Sequence, residues 1–253
     1  MFPPVRQGAL YRGIGAGDRH DLAERGKETI FPMELWEEML DFVFPPHCPV
    51  CDAYVESCGG WCEDCLRRTL CVTRLPLSAG GMNFLDEVWT LGRYHGGLSH
   101  LMRALKYQRK RDRLPYLQRF LEAAKPQLTD FLRLRRLAVP VPLHPRREKE
   151  RGFNQAELIF KEWLADCGIP TERLLVRARE TEPQYGLDAK ARARNMRDAF
   201  AIAAGVDVQG KELLLVDDIF TTGATMLECA KVLKKHGAKK VDALTLASDH
   251  RVK

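Results

Sequence analysis

Two adjacent carboxylates, Asp217 and Asp218, end an apolar run in "LLLVDDIFTTGAT", residues 213–225, and Thr221, Thr222, Gly223, Ala224 and Thr225 follow them. Like charges side by side at the end of a buried strand are costly unless donors or cations meet them. Vicinal hydroxyls supply such donors. The threonine-glycine turn offers the opposite chemistry, with hydroxyls, backbone N–H groups and the positive end of a following helix, all suited to an anion. A sugar phosphate such as ribose 5-phosphate carries both kinds of group in one molecule. The plain alternative is a solvated strand end followed by a helix cap.

A second constellation lies in "HCPVCDAYVESCGGWCEDC", residues 47–65. Cys48 and Cys51 form one C-x-x-C pair, and Cys62 and Cys65 another. Each pair can present two thiolates to one metal, and four thiolates close a tetrahedral structural zinc site with no position open for catalysis. Cys58 and Cys71 are left over, and His47 is a substitute ligand. Six of the eight cysteines fall between 48 and 71, so one local site is expected in place of a disulfide framework.

Cations concentrate between Tyr94 and Gly152, where 15 Lys and Arg face 5 Asp and Glu. "HPRREKERG" puts guanidiniums just past the prolines of "VPVP", a place where forked donors can bind phosphate oxygens. Lys106, Tyr107, Arg109, Lys110 and Arg111 combine charge with an aromatic ring, as single-stranded DNA binding requires. A solvated basic helix face accounts for the same residues. A nucleotide hydrolase is disfavoured, because "GVDVQGKE" at 205–212 matches G-x-x-x-x-G-K but puts Glu212 where Ser or Thr must ligate magnesium.

The elements that must hold these groups follow from periodicity. "MELWEEMLDFVF" at 33–44 is helical, "DEVWTLGRY" at 86–94 a strand, and 96–128 two helices broken near Pro115. "RLAVPVPL" is a short strand and "FNQAELIFKEWLADCG" a helix ended by Gly168. Strands near 174–178, 199–203, 213–217 and 241–247 alternate with helices near 188–197 and 223–236. Such alternation predicts an α/β fold with a largely parallel sheet flanked by helices, whose ligand sits beyond the carboxyl ends of the strands. Residues 73–83 read as a link. Residues 1–32 read as a poorly ordered extension, with the natural product starting either at Met1 or at Met33. Residues 33–75 make a helix plus a small zinc-ribbon-like module, and 84–253 the main domain.

The 213–225 run resembles the diphosphoribose-binding signature of type I phosphoribosyltransferases. "VPVPLHPRREKERGFNQAE" at 139–157, "LKYQRKR" at 105–111 and "QYGLDAKARARNMRDAF" at 184–200 look like the ComF (ComFC) competence family. The resemblance implies a type I phosphoribosyltransferase-like domain behind a zinc-binding module. It makes His144, Arg146 and Arg147 the pyrophosphate loop, and Gln184, Arg192 and Asn195 parts of a mobile loop. It implies phosphoribosyl diphosphate and magnesium as ligands, with transfer to an unknown acceptor. The alternative it leaves is a non-catalytic factor that works with single-stranded DNA and other DNA-uptake proteins. A net charge of +6 permits an anionic partner without demanding one. No apolar run reaches the ~20 residues that span a bilayer. No secretory stretch opens the chain, so no membrane insertion and a cytoplasmic location are expected.

Overall fold

The computed structural model describes residues 45–77, 83–108, 111–134, 136–179 and 189–249. All of them belong to one compact unit that begins at Leu40. The expected extension 1–32, the helix at 33–44 and Gln184 lie outside the described residues, as do Arg109, Lys110 and the side chains of Tyr107 and Arg192.

Five strands form the main sheet: β1 (Leu70–Arg74), β2 (Val88–Arg93), β3 (Leu137–Pro140), β6 (Glu212–Phe220) and β7 (Lys240–Ser248). Their spatial order is β1-β2-β7-β6-β3. β2, β7, β6 and β3 run parallel, and β1 joins the edge antiparallel. The centre is apolar on both sides because helices cover both faces of a parallel sheet. Along β6 the faces alternate. Leu214 and Val216 enter one core with α2 (Gly96–Gln108), α3 (Leu114–Ala124) and α6 (Gln155–Asp166), while Leu213 and Leu215 enter the other with α8 (Ala224–Lys235).

The structure corrects the expected layout in three places. β4 (Leu175–Arg177) and β5 (Phe200–Ile202) do not enter the sheet but pair antiparallel with each other. Each is only three residues long, and periodicity cannot assign so short a strand to a sheet. The helix α7 (Ala189–Met196) leads into β5. Thr73 and Arg74, read as link, are part of β1. The break between α2 and α3 falls before Leu114, and Pro115 sits in the first turn of α3, where its missing N–H interrupts no helical bond.

The cysteine segment shares a core with the rest. It contributes α1 (Glu63–Thr69), and Cys48, Val55, Trp61 and Cys65 pack in one cluster with Leu98, Leu117 and Phe120. Trp61 donates its Nε1 proton to the Tyr116 carbonyl at 2.9 Å and tilts its ring against Phe120. No helix among the described residues is long and apolar enough to cross a membrane.

Candidate functional site

The acid pair follows the four buried apolar residues Leu213–Val216 of β6, and Ile219 and Phe220 complete the strand beyond it. Val141, just past β3, donates its N–H to the Val216 carbonyl at 2.9 Å, which brings the 141–144 turn beside Asp217. After Phe220 the chain turns at Gly223, whose φ of +74° is left-handed, and α8 begins at the next residue. A Cβ at Gly223 would stand 2.6 Å from the Phe220 ring, so both the backbone angle and the space call for glycine. Thr222 Oγ1 accepts from Ala224 N at 3.5 Å, and the first turn of α8 opens onto the space above the acids.

That space is a cleft of about 750 Å³. Asp217, Asp218 and the whole Thr221–Thr225 turn line it, together with Arg147 and Lys106. Tyr94, Arg103, Arg151, Asn154, Arg177 and Asp249 also line it, and none of these was singled out in the sequence. Arg146 is exposed and outside the lining, and pairs at 3.4 Å with Glu150, which is part of it. His144 caps α5 (Pro145–Arg151) from outside the cleft lining, with a buried Nδ1 that has no hydrogen-bond partner. Asn195 is at the end of α7, where its carbonyl accepts from Arg179 at 2.9 Å. Lys106, expected on a DNA-binding face, is 3.4 Å from Asp218 Oδ2. Arg111 is exposed and its guanidinium lies 5.1 Å over the Phe153 ring.

The electrostatics suit a ligand with both hydroxyls and anions. Burial, then the neighbouring Asp218 charge, pushes the Asp217 carboxyl well above the usual carboxylate range. Asp217 Oδ1 accepts the Asp218 N–H at 2.8 Å. Hydroxyl donors arriving from a ligand would favour its ionised form. Arg177 is buried on β4, and burial followed by the charge of Arg147 lowers its pKa. The two guanidiniums disfavour each other in one cleft, while the Asp217 carboxyl works the other way on Arg177.

Asn154 explains why the loop stays in place. It caps α6 by accepting from Ala156 N at 2.9 Å and donates Nδ2 to the Val141 carbonyl at 2.9 Å. The "FNQAE" capping pattern carried that signal. Arg177 had a weaker one, a charge in an otherwise apolar "LLVRA" strand.

The second site is the thiol cluster. The ligand atoms of Cys48, Cys51, Cys62 and Cys65 all lie within 4.8 Å of one another, with 3.6 Å between Cys51 and Cys62. A tetrahedral ion with bonds near 2.3 Å needs sulfurs about 3.8 Å apart, so the cluster fits one metal. Cys65 N donates to Cys62 Sγ at 3.4 Å, the local turn that a C-x-x-C knuckle makes. Burial works against the Cys48 thiolate, but backbone donors at Cys51, Cys62 and Val50 bring its pKa down to about 7. Burial pushes the Cys65 thiol up. Cys58, Cys71 and His47 stay outside the cluster.

An α/β sheet with an acid pair and a glycine-led helix toward the carboxyl end of an inner strand defines a phosphoribosyltransferase-type domain. Residues 175–253 match the family described as "Phosphoribosyl transferase domain". The chain is 33% identical over 208 residues to the DNA utilization protein YhgH of Escherichia coli strain K12, covering 79% of this chain and 88% of that one. It is 29% identical over 206 residues to competence protein F of Haemophilus influenzae, covering 80% and 84%. Competence protein ComFC of Bacillus subtilis is 34% identical over 110 residues, covering 43% and 42%. The chain belongs to the ComF/ComFC family.

Proposed function

We propose that this protein binds phosphoribosyl diphosphate with magnesium in the cleft and transfers the phosphoribosyl group to an acceptor. The observation that carries the reading is the placement of Asp217 and Asp218 in the second half of β6, where they line one cleft together with the Gly223 turn and the start of α8. The two carboxylates accept hydrogen bonds from the ribose hydroxyls. The N–H and hydroxyl groups of Thr221–Thr225 hold the 5-phosphate. Arg147, with Arg151 beside it in the lining, faces the pyrophosphate.

Transfer breaks the bond from the sugar carbon to the pyrophosphate oxygen and forms one to the acceptor. Positive charge grows on the sugar ring while negative charge grows on the leaving oxygens. The carboxylates stabilise the first and the guanidiniums the second, and no protein nucleophile is required. Asp217 and Asp218 are the carboxylates that could hold a magnesium ion bound with the diphosphate, which would supply charge neutralisation of the leaving group. In the cysteine cluster we assign zinc, in a structural role, because four thiolates leave no open position.

Saturating ligand at about 100 times Kd should add about 2.7 kcal/mol of stability, a rise of several degrees in Tm. Asp217→Asn with Asp218→Asn should weaken binding by about a hundredfold or more, since each charge-assisted hydrogen bond contributes roughly 1.5–3 kcal/mol. Equal thermal shifts in wild type and the double variant would overturn the site assignment.

A single-stranded DNA partner is the second reading. It is favoured by the names of the relatives, competence protein and DNA utilization protein, and by the excess of Lys and Arg between Tyr94 and Gly152. Anisotropy of a labelled oligonucleotide should then fall steeply with salt. Neutralising Arg109, Lys110 and Arg111 should reduce the log–log slope by roughly 0.7 per lost phosphate contact. A slope that the triple variant leaves unchanged would remove that segment from the interface.

A further inference from the structure

The helix α2 touches both sites of the molecule. At its start, Gly97 lies against Val50, the residue next to Cys51. A Cβ on Gly97 would come within 2.1 Å of Val50 Cγ2 and 3.0 Å of Val50 Cβ. Near its other end, Lys106 reaches Asp218 at 3.4 Å, with the lysine side chain 27% and the aspartate 10% exposed. Nine residues of α-helix separate the two contacts, about 14 Å along a rod that transmits displacement without bending. Leu98 and Leu101 of α2 are buried in the same cluster as Cys48 and Cys65, a second tie between the helix and the cysteine segment. The strand order adds the direction. α2 follows β2 and approaches the acid pair from the β7 side, whereas the 141–144 turn follows β3 and approaches from the other side.

We propose that the cysteine module sets the affinity of the cleft through α2, with Lys106 as the positioning residue that carries the effect to Asp218. Lys106 places a cation against the carboxylate that accepts ribose hydroxyls, keeping it oriented toward the cleft and screened from its neighbour Asp217. Its position depends on where α2 is held, and the knuckle around Val50 holds it. The inference rests on the reading of the cleft as a phosphoribosyl diphosphate site. It adds a thermodynamic coupling between metal-bearing module and ligand, of the kind that links two sites through one rigid element.

The test is calorimetric binding of phosphoribosyl diphosphate with magnesium to the full chain. Its companion measurement is the zinc content per chain. Gly97→Ala should keep one zinc per chain yet weaken binding about tenfold, within the usual range of such couplings. Adding Val50→Ala removes the 2.1 Å contact and should recover most of the loss. Lys106→Met should weaken binding by itself, Lys106→Arg should restore it in part, and Gly97→Ala placed on Lys106→Met should change Kd less than about twofold, because the carrier of the coupling is gone. An unchanged Kd in zinc-loaded Gly97→Ala, or an equal tenfold loss in the Lys106→Met background, would overturn the coupling. Absence of binding to the wild type would instead overturn the ligand assignment.

Discussion

Cys51→Ser is expected to cost the protein most of the metal's binding energy, on the order of 10 kcal/mol for a structural zinc site, and to unfold more than the cysteine segment. The expectation of a wide effect comes from the shared core. Cys48 and Cys65 are buried in the cluster that holds Leu98, Leu117 and Phe120, and Gly59 lies so close to Pro115 that a Cβ there would meet it at 2.6 Å. Loss of the ion leaves those thiols without partners and loosens the surface on which α2 and α3 rest. Hydrogen exchange should therefore rise in 45–74 and also across α3, with chelation of the wild type giving the same pattern. Cys58→Ser, outside the cluster, is the control and should change stability by less than about 0.5 kcal/mol. Retention of native exchange in Cys51→Ser would show that the thiols do not hold a structural metal.

Arg136→Met should destabilise the fold by about 3–5 kcal/mol, because it strips the buried Asp242 carboxyl of its arginine partner inside the sheet. Both side chains are fully buried, and Arg136 bonds to Asp242 and to the Phe131 carbonyl while its guanidinium stacks 4.0 Å over the Phe131 ring. Lys240 remains at 3.2 Å from Asp242 and softens the loss. Burial already raises the Asp242 pKa against the opposing pull of Arg136, and removal of that arginine raises it further. The sign follows from which state ionises first. Below the ordinary carboxylate pKa near 4 both states of Asp242 are protonated, and above it the unfolded chain loses its proton while the folded one retains it. Stability of the variant should therefore fall as pH rises through that window, and denaturant midpoints at acid and neutral pH should diverge more than in wild type. Arg136→Met combined with Asp242→Leu should recover most of the loss. A neutral effect of Arg136→Met at pH 7 would mean that Lys240 or water suffices.

The parts of the fold legible in the sequence were those with local chemistry. "LLLVDDIFTTGAT" specified a buried strand, its acids and a glycine-led helix, because four consecutive buried apolar residues and a left-handed glycine are properties of the segment itself. The four thiol ligands were equally local. What was not legible depends on partners distant in sequence. Arg177 acquires its place in the cleft only when β4 pairs with β5, and Arg103 and Lys106 acquire theirs only when α2 is laid across the end of β7 and β6. The sequence places Lys106 on a basic face, DNA-binding or solvated, since charge density says nothing about which lysine meets a carboxylate 112 residues away. Arg146 and Arg147 are neighbours with the same side chain, and the turn of α5 puts Arg147 in the cleft lining and leaves Arg146 exposed against Glu150.

The strand order has a consequence for synthesis. β7 and β6 stand in the middle of the sheet but are made last, so β2 and β3 leave the ribosome with the place between them empty. Long-range parallel pairing is slow, and a half-made sheet exposes sticky edges. The cysteine segment is complete long before, and its close contacts with α2 and α3 give their apolar faces an early cover. That early cover shields the apolar faces of the first half of the protein until residues 212–248 arrive to close the sheet.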